Sequence, residues 1–123
     1  MSAKPDLERI AAEQREICRR VGSPFVPIDY EQKVGIALDT LRDMPIRAVR
    51  HRPEGGTSGW YIWGGEYAED PDFYQPAHGH HLVDLLPMVL KYLALAPGYR
   101  FVVDDEGYED IWFDPGVLED AGA

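Results

Sequence analysis

Twelve glycines and ten prolines are spread through 123 residues, and their placement limits what this chain can fold into. A proline removes a backbone donor, and a glycine inside an element costs conformational entropy, so regular elements have to fit between them. Two stretches are long enough for helix. Over residues 5–21, Leu7, Ile10, Ala11, Gln14, Ile17, Cys18 and Val21 recur at three- and four-residue spacing and make one stripe. Ser2 is placed to cap this helix, Pro5 suits its first turn, and Gly22 followed by Pro24 stops it. From about 77 to 95, Leu82, Leu85, Leu86, Val89, Leu90 and Leu93 share a face, but Pro87 falls inside the run and should kink or split it.

Residues 23–32, with Pro24 and Pro27, read as a linker. The remaining runs are short and rich in β-branched and aromatic residues: 34–38, 46–51, 58–64, 99–103 and 108–113. Pro53-Glu54-Gly55-Gly56 and Asp104-Asp105-Glu106-Gly107 are turn sequences between neighbouring runs. Residues 66–77 read as a long acidic loop, and the tail after Pro115 as loose. The order helix, three strands, helix, hairpin predicts an α+β fold. We expect a mainly antiparallel sheet of about five strands with two helices packed on one face. The length suits one domain over 1–123: an N-terminal helix to 22, a body over 33–115 and a tail over 116–123. Trp60, Ile62, Leu86, Leu90, Leu93, Phe101 and Trp112 are the expected core.

Charge is distributed unevenly. Residues 1–56 carry ten Lys/Arg and nine Asp/Glu, whereas residues 57–123 carry two and thirteen, so the net −10 comes entirely from the second half. Such a field repels nucleic-acid phosphate and anionic lipid and favours a cationic partner. No apolar run approaches the roughly 20 residues of a membrane span, and no apolar segment follows a basic start. Cys18 is the single cysteine and falls in the helical stripe, so it reads as a buried, inert thiol, and no internal disulfide can form. A cytoplasmic protein is the expectation.

Candidate chemistry is sparse. No Ser/His/Asp arrangement, phosphate-binding glycine loop or Cys/His zinc spacing is present. The paired carboxylates lie in turns, where solvation opposes the shifted pKa values of acid–base catalysis. His78 and His81, three apart beside His80, are the candidate metal ligands, with Glu66, Asp70 and Asp72 near enough in sequence to complete a site; the reading they support is a metal-dependent hydrolase. Otherwise neither a catalytic residue nor a cofactor is expected. In Trp60-Tyr61-Ile62-Trp63, strand alternation puts Trp60 and Ile62 on one face and Tyr61 and Trp63 on the other. Both faces are then apolar, so the strand is buried on both sides or offers one to a partner. Large aromatics also sit inside the acidic loops. The candidate partner-binding residues are therefore Glu66, Tyr67, Glu69, Asp70, Asp72, Phe73 and Tyr74 in one loop, and Asp104, Asp105, Tyr108, Glu109 and Asp110 in the other.

Four segments together carry a resemblance. They are 57–66 (TSGWYIWGGE), 70–78 (DPDFYQPAH), 92–101 (YLALAPGYRF) and 108–114 (YEDIWFD). In this order they resemble the bacterial immunity protein 33-like family, over about residues 33–115 and without the first helix. The resemblance implies a small domain that binds and neutralises a cognate toxin and has no catalytic residues. A toxin that attacks nucleic acid is usually basic, which suits an acidic inhibitor. A regulatory module without a toxin partner is the other non-enzymatic reading.

Overall fold

The computed structural model describes residues 6–119. Helix α1 spans Leu7–Val21. Its N-cap is Asp6, whose carboxylate accepts a bond from the Arg9 amide at 3.0 Å; Ser2 and Pro5 lie outside the described residues. Gly22 ends the helix in the left-handed region at φ 79°, with its N–H on the Cys18 carbonyl. The stripe faces inward from Ile10 onward: Gln14, Ile17 and Cys18 are buried, while Leu7 stays exposed.

Six strands follow: β1 (Lys33–Ile36), β2 (Ile46–Arg50), β3 (Thr57–Gly64), β4 (Gln75–His78), β5 (Tyr99–Val103) and β6 (Glu109–Phe113). They form one sheet in the order β4-β1-β3-β2-β5-β6. All neighbours are antiparallel except β1 and β3, which run parallel. The fold class is the expected one, with one strand more. β4 falls largely in what reads as loop because it is only four residues long, carries no large apolar side chain and has Pro76 within it. A proline is tolerated there because β4 is an edge strand. The second helical stretch is broken as Pro87 requires: α2 covers only Leu82–Leu85, Leu86 leaves helical geometry at φ −155°, and a 3₁₀ segment runs Pro87–Tyr92. Residues 116–119, expected in a loose tail, make the short helix α3 (Gly116–Glu119), with Val117 buried.

The main core lies between one sheet face and the layer formed by α1, α2 and the 3₁₀ segment. Trp60, Ile62, Leu86, Leu90, Leu93 and Phe101 are all buried in it. Trp60 also donates its indole N–H to the Leu93 carbonyl at 3.0 Å, and Phe101 packs against both Trp60 and Tyr92. Trp112 is not part of this core. In β6 the register puts Glu109, Ile111 and Phe113 opposite the core residues Val103, Phe101 and Tyr99, so Trp112 turns to the other face and is 38% exposed. One cation is sealed inside. Arg50 is 2% exposed and donates to the carbonyls of Ser58, Val26, Leu93 and Leu95. Burial lowers its pKa to about 10, which leaves it charged, with carbonyl oxygens in place of a carboxylate.

Candidate functional site

Among the described residues the second sheet face carries only the short α3 in place of a helical layer, and its side chains are set by register. Gly35 pairs with Tyr61, Tyr61 with Val49, Val49 with Arg100, and Arg100 with Trp112. These five residues form a row across β1, β3, β2, β5 and β6. Trp63, Arg47, Val102 and Asp110 make the next row. Gly35 matters because it has no side chain: a Cβ there would lie 2.6 Å from the Tyr61 ring, so the ring lies directly over the β1 backbone.

The loop after β3 folds onto this face. Arg47 Nε donates to the Gly65 carbonyl at 3.0 Å and fixes the start of the loop. Asp70 accepts the Asp72 amide, and the Gln75 amide bonds the Asp72 carbonyl at 2.6 Å. These bonds shape the loop so that Tyr67, Phe73 and Tyr74 gather beside Trp63 and Tyr61. The rings meet mostly edge to face, with centroids 4.9 Å apart for Phe73–Tyr74, 5.1 Å for Tyr61–Tyr74 and 5.9 Å for Trp63–Tyr67. Trp63, Val49 and Ala37 are buried together with Val117 of α3, and Tyr61, Phe73 and Tyr74 pack against them.

Between the rings and β5 lies an open basin of about 540 Å³, lined by Val49, His51, Tyr61, Trp63, Tyr67, Tyr74 and Arg100. Its polar groups are mainly donors. Burial, reinforced by the neighbouring Tyr67 and Tyr61, pushes the Tyr74 hydroxyl pKa up, so the group keeps its proton. The Trp63 indole N–H is buried without a hydrogen-bond partner among the described residues. Arg100 is held by Asp114 at 2.9 Å.

Topology brings the two acidic loops to one end of the sheet. Ile46, the first residue of β2, pairs with Gly64 at the end of β3 and with Val103 at the end of β5. The loop after β3 and the turn after β5 therefore start two strand spacings apart, about 10 Å. Glu66, Tyr67, Glu69, Asp70, Asp72, Asp105, Tyr108 and Asp110 are exposed; Phe73, Tyr74 and Asp104 are half-buried. The Asp104 carboxylate accepts the amides of Glu106 and Tyr108 and shapes its turn. Glu109 stands apart, on the helix-covered face. It accepts bonds from the Tyr92 hydroxyl at 2.6 Å and from Arg20 at 2.5 Å. Burial alone would raise its pKa, but these two donors hold the carboxyl below its usual range.

His78, His80 and His81 present ligand nitrogens that all lie within 4.8 Å of one another. Among the described residues, Glu66, Asp70 and Asp72 are not part of that group, and nothing supports hydrolytic chemistry there. Sequence reasoning missed Trp112, Arg100, His51 and Val49 as members of the open face. Alternation within β2, β5 and β6 carries that information, but only once the covered face is known.

The Imm33-like domain model matches residues 13–114. The chain belongs to the Imm33-like domain family. The match reaches back into α1, farther than the residues that carry the resemblance in the sequence, and it takes in every strand. No curated protein and no solved structure matches the chain. The family places it among immunity-type proteins, whose general partner is a protein.

Proposed function

We propose that this Imm33-like chain is an immunity protein that binds a basic protein toxin and blocks it, acting in the bacterial cytoplasm as a binder and not as an enzyme. The contact surface in this reading is the open sheet face with Tyr67, Phe73, Tyr74 and Trp112, flanked by the acidic residues Glu66, Glu69, Asp70, Asp72, Asp104, Asp105 and Asp110. One observation carries it: an aromatic face, flanked by the short α3 instead of the main helical layer, lies beside two acidic loops that leave the same end of the sheet.

The physics divides the work. Exposed carboxylates attract a cationic partner over about a Debye length, roughly 8 Å at physiological salt, and so set the association rate. Aromatic rings held by their neighbours lose little side-chain entropy on contact, and they set the residence time. Glu109 takes no part, because Tyr92 and Arg20 already hold it on the opposite face.

The test is co-expression with basic toxin candidates encoded beside this gene. The chain should restore growth, bind the purified toxin one to one, and lose at least about tenfold in affinity on Tyr67→Ala, the low end for an interface anchor. A toxin that is neither bound nor neutralised would overturn the proposal.

A further inference from the structure

We propose that His78, His80 and His81 form a three-imidazole site for a divalent transition metal of the zinc class. The three sit where β4 ends and the turn Gly79–His81 leads into α2. Their backbone is pinned. The Gly79 amide donates to the Gln32 carbonyl at 2.9 Å and the His80 amide to the Tyr30 carbonyl at 3.0 Å. Gly79 is buried so closely that a Cβ would lie 2.9 Å from Ile28, and Leu82, just beyond, is fully buried. The rings therefore project from a fixed turn. His78 and His80 stack at 5.3 Å, and His80 and His81 lie 4.2 Å apart.

Imidazole nitrogens suit zinc, nickel and copper, and three of them leave a coordination position for water or a partner's side chain. Zinc–nitrogen bonds of about 2.0–2.1 Å in a tetrahedron need nitrogens roughly 3.3 Å apart. From 4.8 Å or less this asks for small ring rotations, and His80 and His81 are exposed enough to make them. His81 carries a cost. Its Nδ1 accepts the His78 backbone amide at 3.1 Å. A metal on Nδ1 takes that lone pair, and a metal on Nε2 leaves the proton on Nδ1, so ligation by either nitrogen ends the bond. The His78 amide is thus a built-in reporter.

The experiment uses the full chain without a histidine tag, stripped with chelator and titrated with zinc chloride in a calorimeter. One equivalent should bind with a dissociation constant of micromolar order or tighter, and the melting temperature should rise with zinc. His80→Ala, which removes an exposed ring and none of the pinning bonds, should weaken binding at least tenfold and shrink the rise at a given zinc concentration. The His78 amide resonance should shift on loading, and the copper(II) form should show coupling to three nitrogens in electron paramagnetic resonance. No binding at millimolar zinc would overturn the site. So would binding unchanged by His80→Ala, which would place the metal elsewhere, on the acidic loops for instance.

Discussion

Single side chains decide the two most costly features of the interior. Trp60 is 1% exposed and combines a large packed surface with a bond to Leu93. Trp60→Ala should cost about 3–5 kcal/mol in a denaturant melt, the usual range for emptying an aromatic site. Arg50 joins three segments through their carbonyls, and lysine could reach only part of that set from one nitrogen. Arg50→Lys should therefore cost at least about 2 kcal/mol by the same measurement, since carbonyls would be left buried and unmatched. Glu109 gives a pH signature. Its folded pKa lies below the unfolded value, so its contribution is complete above the unfolded pKa of about 4.3 and is lost as pH falls through the folded value. Glu109→Gln should destabilise the protein by about 1–3 kcal/mol near neutral pH and by progressively less below pH of about 4. Parallel melts of both proteins across acid pH check this.

Among the elements, β3 carries the most. It is the strand with both faces apolar, and its two faces have different fates: Trp60 and Ile62 join the main core, while Tyr61 and Trp63 build the floor of the aromatic face. Its geometry depends on Gly59, at φ 89°, where a Cβ would come within 2.0 Å of the His51 carbonyl oxygen. Gly59→Ala should cost more than about 2 kcal/mol, because both the positive φ and the backbone contact oppose it. A melting temperature unchanged by that substitution would show that the β2–β3 pairing can shift to admit it. β4 and the 3₁₀ segment were harder to read from sequence. A four-residue edge strand with no large apolar side chain and an internal proline lacks the alternation that marks a strand. A leucine pattern around Pro87 looks helical because a 3₁₀ segment also brings residues three apart to one face.

Taken as a charged body, the molecule is polarised: thirteen of its 22 acidic residues follow residue 56, and the fold collects two of the acidic stretches at one end of the sheet. With a cognate toxin in hand, the association rate should fall steeply with salt. Joint charge reversal at Glu66, Glu69 and Asp105 should slow association while leaving the melting temperature nearly unchanged, because these side chains are exposed. An association rate insensitive to both would remove steering from the mechanism, as stopped-flow mixing would reveal.

The sequence alone settled the local matters: where α1 ends at Gly22, where Pro87 breaks the second helical stretch, the α+β class, and which residues of β3 share a face. These follow from φ preferences, missing donors and side-chain period, which act within a few residues. Tertiary structure decided what depends on partners far along the chain. Helices α1 and α2 and the 3₁₀ segment cover the Trp60 face and leave the Trp63 face to the aromatic loop and the short α3. Trp112 falls outside the main core because β6 pairs with β5 in one register and not the next. Glu109 turns from the acidic turn to Tyr92 and Arg20 for the same reason. A one-residue change of register moves every side chain of a strand to the other face, and register is set by pairing, which the strand's own sequence does not contain.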